Sequence, residues 1–202
     1  DAIHLKRIKY NPDWPLYGAC DYGYTNWWVW LWIQVDPFDN VYVLGEIYVK
    51  QMDTERIARE VLSVHPWMQH CVAFYAPPAE PDETNILMRH LKVPARTNTG
   101  GEIKTRNAMI RTRLKPRPPH APVEEQQAQI VFDRDRCIHL AWEMREGYRW
   151  PTHRNEQKNE AEVPLDKDNH GPEALGRFIH GYFTTSGRSE RRNRQSRAKI
   201  KG

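Results

Sequence analysis

Residues 16–50 read LYGACDYGYTNWWVWLWIQVDPFDNVYVLGEIYVK, and their composition predicts the strands at the centre of the fold. Three segments within it, 16–21, 27–35 and 41–50, are rich in apolar, aromatic and β-branched residues, which is the composition of buried strands. The last two are separated only by DPFDN, whose Pro, Asp and Asn residues are typical of a tight turn. The stretch therefore predicts three consecutive strands in an antiparallel meander.

Downstream of residue 50 the hydrophobic pattern changes to a helical period. Ile57, Val61 and Val64 recur at helical spacing after a capping signal at Asp53 or Thr54. The apolar run HCVAFYA at 70–76 is typical of a central parallel strand. Further strands are predicted at 93–96 and 128–132, and further helices within 77–91, 100–114, 137–148 and 168–183. The order predicts an α/β fold with a mixed central sheet, an antiparallel meander followed by parallel strands, flanked by helices.

The composition and the missing motifs argue against a membrane protein, a disulfide-rich protein and an ATPase. The 202 residues are 39% hydrophobic with a mean hydropathy of −0.83, as expected for one compact domain with solvated ends. No apolar run approaches the ~20 residues of a membrane helix, so no membrane association is expected. The three cysteines are odd in number and lie in apolar segments, which argues against a disulfide framework and against a Cys-based zinc site. No phosphate-binding GxxxxGK[ST] motif is present, so any ATPase must lie elsewhere.

The end of the chain is strongly basic. Residues 186–202 read SGRSERRNRQSRAKIKG, and Glu190 is their single acid. We expect a folded domain over 1–185 and a basic, disordered tail over 186–202, in which Arg191 and Arg192 contact phosphates. A solvated tail with no fixed partner fits the same composition.

Carboxylates stand at the ends of elements that an α/β fold brings together. One ends the first predicted strand, two follow the fourth, and three surround the start of the last helix: Asp21, Glu80, Asp82, Asp166, Asp168 and Glu173. Clustered acids repel one another unless cations neutralise them, and Mg²⁺ and Mn²⁺ prefer oxygen ligands. Two such ions about 3.5–4 Å apart stabilise the attacking and leaving oxygens in phosphodiester cleavage. Each acid alone also fits a surface charge or a helix cap, Asp168 in particular.

Two motifs resemble a known family. GACDYGYTN at 18–26, followed by the next two strands, resembles the opening of the nuclease domain of tailed-phage large terminases. KDNHGPEALGRF at 167–178 is similar to the C-terminal signature of that domain, and YRWP at 148–151 also fits. The resemblance spans roughly Leu16 to Phe183 and is closest to terminases of phages that infect actinobacteria.

The resemblance implies a ribonuclease-H-like fold and an endonuclease that cuts double-stranded DNA during viral genome packaging. It implies two bound ions, Mg²⁺ or Mn²⁺, and hydrolysis by two-metal catalysis. The implied partners besides DNA are an N-terminal ATPase motor of the same protein, the portal and the small terminase subunit. The implied location is the cytoplasm of the infected bacterial host.

The resemblance also assigns residues. Asp21 matches the first catalytic acid, Asp168 the acid at the final helix, and Glu173 the later acidic position. The family places its second acid directly after the fourth strand, but residues 76–82 here read APPAEPD, so that Asp is missing. Glu80 is the preferred replacement over Asp82. The expected catalytic residues are therefore Asp21, Glu80 and Asp168, and the expected metal ligands are Asp21, Glu80, Asp82, Asp168 and Glu173.

Basic and aromatic residues offer possible DNA contacts. Lys104, Arg106 and Arg111 are predicted on a basic helix face that holds the DNA backbone, although a solvated face fits the same spacing. His170 lies beside the acidic signature, where it contacts DNA or metal, or makes a structural hydrogen bond. The tryptophans of 27–35 alternate within a strand and are predicted to be mainly core.

Two other functions fit the sequence. One is a DNA-binding or motor-docking module with little cleavage on its own, favoured by the missing acid and the basic tail. The other is a ribonuclease-H-like nuclease of the resolvase or transposase type, which would share the acid of the first strand but not the HGPEALGRF ending.

Overall fold

The computed structural model describes residues 3–97, 101–147 and 169–184. Within them the strands are β1 Leu5–Lys6, β2 Leu16–Asp21, β3 Trp28–Val35, β4 Val41–Val49, β5 Cys71–Tyr75, β6 Ala95–Arg96 and β7 Ile130–Asp133. The helices are α1 Thr54–Val64, α2 Pro81–Leu91, α3 Ile103–Leu114, α4 Ile138–Trp142 and α5 His170–Phe183. No helix in these ranges is long and apolar enough to cross a membrane.

The strands form one sheet in the order β1-β7-β4-β3-β2-β5-β6. β2, β3 and β4 pair antiparallel, as a meander. β5 joins β2 in parallel and β6 joins β5 in parallel, while β7 lies parallel to both β4 and β1 on the other side. Parallel pairing needs a crossover, which α1 supplies between the meander and β5. The predicted mixed sheet flanked by helices is confirmed.

The turn between β3 and β4 is built by its own side chains. Asp36 Oδ1 accepts the backbone N–H groups of Phe38 and Asn40, each at 2.8 Å. Asp39 adopts a left-handed backbone with φ 67°, which Asp tolerates better than most residues. These local contacts fix the register of the meander and confirm the predicted turn.

The two faces of the sheet carry separate cores. On one face, Leu31 of β3 belongs to the buried cluster that includes Phe178 of α5. On the other face, Trp30 and Trp32 are fully buried in a cluster that includes Ile57 of α1. Truncation of a buried Trp costs about 3–5 kcal/mol, so the alternating tryptophans of β3 are a large part of the core, as predicted.

Helix α5 runs antiparallel to β2 across the first of these faces. His170 at its start lies beside Asp21 at the end of β2, and Tyr182 near its end contacts Tyr17, with ring centroids 5.3 Å apart. The helix predicted within 168–183 is confirmed, and its apolar residues Leu175, Phe178 and Ile179 are fully buried against the sheet. The packing of this stripe places the N-terminus of α5 at the end of β2 where the acid lies.

Two details differ from the sequence-based expectation. The helix predicted over 137–148 is the short α4 followed by a π-helical turn, Glu143–Gly147. The wider turn buries the Glu143 carboxylate, which accepts hydrogen bonds from Tyr48 and from the backbone of Gly171. Strand β1 was not predicted, because two residues carry no periodic signal and the strand exists only through its pairing with β7.

Candidate active site

Asp21 is the last residue of β2 and faces α5. Its Oδ2 accepts a hydrogen bond from His170 Nδ1 at 3.0 Å, and its Oδ1 accepts one from Arg177 Nη1 at 2.6 Å. The side chains of all three residues are only 13–15% exposed. Both carboxylate oxygens are therefore engaged by α5, through residues about two turns apart on the same face of the helix.

A row of charged side chains extends from Arg177 to α3. Glu173 Oε2 lies 3.8 Å from Arg177 Nη2 and 2.7 Å from Arg106 Nη2 of α3. Asp21, Arg177, Glu173 and Arg106 thus form a chain of alternating charges, which we call the charge chain. Burial of each member is tolerated because it has an opposite charge within hydrogen-bond distance or close to it.

Arg106 corrects one sequence-based expectation. It was grouped with Lys104 and Arg111 on an exposed DNA-binding face, but it is only 8% exposed and pairs with Glu173. Gly176 packs against this residue, and a Cβ there would lie 3.3 Å from the Arg106 Cβ, a distance that a shift of a few tenths of an ångström would relieve. Lys104 and Arg111 do lie on the exposed side of α3. The helix therefore has one buried, paired guanidinium and separate exposed basic residues.

The start of α5 is held by a second, buried contact. Glu143 Oε2 accepts the backbone N–H of Gly171 and the hydroxyl of Tyr48, each at 2.8 Å. Burial raises the pKa of Tyr48, and the negative charge of Glu143 raises it further, so the phenol stays protonated and donates. A side chain at position 171 would collide with the Tyr48 hydroxyl. Glycine here lets the helix approach closely enough for His170 to contact Asp21.

Glu80 and Asp82 follow β5 at the start of α2, and both are exposed. Glu80 borders a cleft of about 680 Å³ whose lining includes Tyr22, Trp28, Thr54, Glu83 and Ile86. Burial raises the pKa of the Tyr22 hydroxyl, and the charge of Glu80 contributes to that rise, so Glu80 acts electrostatically near the end of β2. Burial also raises the pKa of Glu83, with Glu80 and Asp82 as further causes.

These acids do not converge on Asp21 as a ready ligand set. Within residues 3–97, 101–147 and 169–184, no three His, Cys, Asp or Glu side chains are grouped so as to hold a metal ion. Asp166 and Asp168, and Arg191 and Arg192 of the tail, lie outside the described residues. Asp21 thus contacts His170 and is linked to Glu173 through Arg177, whereas Glu80 and Asp82 stay predicted ligands.

Sequence reasoning missed Arg177. Its spacing of four residues from Glu173 is an ordinary helix pair, which by itself indicates only a solvated face. Its main partner, Asp21, is 156 residues away in the chain, so no local pattern reveals the contact. The sequence feature that could have identified Arg177 was its position one turn after Glu173, on the helix that carries the acidic signature.

No protein-family model matches the sequence, and no curated protein matches it. Solved structures do match. The large terminase of a thermophilic bacteriophage, in complex with ATP-gamma-S, has a TM-score of 0.65 and 15% identity, over 88% of this chain and 42% of that chain. The same terminase in complex with ADP gives a TM-score of 0.64 at 15% identity, over 87% and 41%. The g2p (large terminase) nuclease domain of bacteriophage SPP1, with bound Mn, gives 0.58 at 17% identity, over 90% and 96%.

The chain spans about two-fifths of the thermophilic-phage terminase but nearly the whole of the SPP1 nuclease domain. The special likeness to terminases of actinobacterial phages stays a prediction, since neither neighbour bears on it. The likeness supports the predicted architecture. The chain shares the fold of the SPP1 nuclease domain and of the matching part of the thermophilic-phage terminase.

Proposed function

We propose that this chain is the nuclease domain of a tailed-phage large terminase, a metal-dependent endonuclease that cuts double-stranded DNA during genome packaging. One observation carries the proposal. Asp21 ends a central strand and is held against the start of α5 by His170 and Arg177, within the fold of a nuclease domain that was solved with bound Mn.

The residues around Asp21 fit a divalent cation. Asp21 offers carboxylate oxygens, the ligands that Mg²⁺ and Mn²⁺ prefer. Because His170 donates Nδ1–H to Asp21, a neutral imidazole carries its lone pair on Nε2, the nitrogen that can ligate a metal. We propose Asp168, two residues before His170, and Glu80 or Asp82 as the remaining ligands. When bound, two divalent ions supply an activated water and stabilise the charge that develops at phosphorus.

The charge chain gives the other residues their roles. Arg177 neutralises Asp21, and its guanidinium would pair with a DNA phosphate if Asp21 held a cation. Glu173 was expected to be a metal ligand, but two guanidinium groups engage it. We propose that Glu173 positions Arg177. The 14-residue helix α5 also directs the positive end of its dipole toward the site, which favours an anionic phosphate there.

DNA contacts outside the site are proposed for exposed basic residues. Lys104 and Arg111 of α3, with Arg191 and Arg192 of the tail, would contact phosphates and position the duplex without reading its sequence. Arg106 is not included, since its guanidinium is engaged by Glu173.

The proposal of an ATPase partner rests on the length of the thermophilic-phage terminase. That protein was solved with ADP and with ATP-gamma-S, and this chain covers about 42% of it. We propose that an ATPase motor of the same protein accompanies this domain, and that the portal and the small terminase subunit are further partners. The proposed place of action is the cytoplasm of the infected host.

Nicking of supercoiled plasmid in Mn²⁺, Mg²⁺ and EDTA tests the proposal. Wild-type chain should nick with either metal and not in EDTA, and Asp21→Asn should lose at least about a hundredfold because it removes a ligand charge without changing shape. Asp13→Asn is the matched control, because this exposed acid precedes β2 at its opposite end. Asp21→Asn protein that nicks at the wild-type rate would refute the site.

A DNA-binding or motor-docking module is the second candidate. It is favoured because both Asp21 oxygens are engaged by His170 and Arg177 of α5. Metal-independent binding of plasmid without nicking, in both metals, would select this function over the nuclease.

A further inference from the structure

A row of side chains leads from Asp21 across the sheet. Asp21 is paired with Val29 of β3, and Val29 with Tyr48 of β4. Directly paired residues point to the same face, so Asp21 and Tyr48 both face the α5 side. With strands ~4.8 Å apart, their backbones are roughly 10 Å apart.

Three rings cluster at the far end of this row. The rings of Tyr48 and His139 are stacked, with centroids 5.1 Å apart and planes at 24°. Trp27, just before β3, lies 6.0 Å from each of them. We call Trp27, Tyr48 and His139 the aromatic shelf. Its base is rigid, because the Tyr48 hydroxyl is held by the Glu143 that also holds the start of α5.

The outer surface of the shelf is accessible. The His139 side chain is 59% exposed and Trp27 is half-buried. On α4, the helix that carries His139, Ile138 is 65% and Trp142 45% exposed. Exposed aromatic and apolar groups that adjoin one another mark an interaction site more often than scattered ones do.

The charges around the shelf suit a polyanion. Lys50 Nζ lies 4.4 Å from the centroid of the Trp27 ring. The carboxylate of Glu46 lies 3.2 Å from Nδ1 of the His139 ring, but it is only 7% exposed and its oxygens also accept the backbone N–H groups of His139 and Leu140. The shelf therefore combines aromatic rings with an ammonium group that lies over one of them, Trp27.

We propose that the aromatic shelf stacks an unpaired base of the DNA strand whose phosphate lies at Asp21, with Lys50 on a neighbouring phosphate. This inference rests on the proposed function, since it assigns the second binding element of the same site. A ring can stack only on a base that has left the duplex stack, so the preferred ligand is a frayed or distorted end rather than intact duplex.

Binding to labelled DNA in EDTA tests the shelf without cleavage. Two duplexes of equal length are compared, one blunt and one with a three-nucleotide frayed end that carries 2-aminopurine, whose fluorescence is quenched by stacking. Wild-type chain should quench the probe, and Trp27→Ala should weaken binding to the frayed duplex about tenfold, the size expected for one base stacked on an aromatic ring. Binding to the blunt duplex should change by less than about twofold.

Three variants complete the design. Trp27→Phe keeps a ring and should retain most of the quenching, and Lys50→Gln should retain quenching but reduce the salt dependence of binding. Trp14→Ala is the matched control, a half-buried Trp before β2 that contacts Tyr42. Equal binding of wild-type and Trp27→Ala chains to the frayed duplex, or an equal loss in Trp14→Ala, would overturn the shelf. Because metal is absent, a failed nicking assay does not alter this readout.

Discussion

Replacement of Arg177 by Gln should strengthen metal binding at Asp21 while it weakens the fold. The guanidinium lies 2.6 Å from Asp21 Oδ1, in a pair whose side chains are 13–14% exposed. Breaking a buried ion pair costs about 3–5 kcal/mol, and the low end applies here because the site is near the surface and His170 still contacts Asp21. We expect the free energy of unfolding in EDTA to fall by about 3 kcal/mol.

The effect on metal affinity has the opposite sign. A cation bonded to Asp21 at about 2.1 Å would lie roughly 5 Å from the guanidinium. Even at the dielectric constant of bulk water, about 80, a dication and a unit charge at that distance repel by ~1.5 kcal/mol, which is about tenfold in affinity. The repulsion is larger in a partly buried site, so tenfold is the lower bound.

Mn²⁺ binding measured by electron paramagnetic resonance, with unfolding followed in urea, checks both signs on the same samples. Arg111→Gln is the matched control, since it removes the same charge from an exposed position on α3. The dissociation constant for Mn²⁺ should fall about tenfold or more in Arg177→Gln and stay within about twofold in Arg111→Gln. If Arg177→Gln binds Mn²⁺ as weakly as wild type or more weakly, Arg177 orients Asp21 rather than competing with the cation, and the reasoning fails.

Two further predictions concern the fold around the site. Gly171→Ala should lower the free energy of unfolding in urea by about 1–3 kcal/mol, because its methyl collides with the Tyr48 hydroxyl, whereas Gly176→Ala in the same helix should stay within about 1 kcal/mol. Burial, and then the charge of Arg136, lower the pKa of His65 from 6.5 to about 4, so the stability linked to His65 is complete above pH 6.5 and is lost as the pH falls from 6.5 to 4. After allowance for solvent screening, the loss in the free energy of unfolding should be about 1–2 kcal/mol. His65→Gln should remove this loss from thermal unfolding curves, whereas His120→Gln should keep it. A wild-type pH dependence in His65→Gln would contradict the assignment.

The parts of the fold that were predictable are those with local causes. Alternation in 27–35 places Trp30 and Trp32 on one face, and DPFDN builds its turn from its own side chains. The apolar spacing of the last helix fixes which side of α5 packs on the sheet. β2 ends at Asp21 and α5 begins at His170. Predicting these two elements therefore also predicted that the Asp21 carboxylate lies near the start of the helix.

What could not be predicted depends on pairs distant in the chain. Arg106 has the spacing of an exposed basic residue, and only the carboxylate of Glu173, 67 positions away, makes its burial favourable. The π-helical turn after α4 exists because Glu143 reaches Tyr48 and Gly171 from a third segment. The family's second acid is missing from residues 76–82, so the sequence left both Glu80 and Asp82 as candidates for its role. Neither of them contacts Asp21 in the structure.

The charge chain also links Asp21 to a helix outside the candidate site. Arg106 belongs to α3, Glu173 and Arg177 to α5, and Asp21 to β2, so the ion pairs join three elements. Opposite charges alternate along it, and removing Glu173 would take away the carboxylate that pairs with the buried Arg106. The state of the Asp21 carboxylate therefore depends on how α3 packs against α5, as well as on what binds at the end of β2.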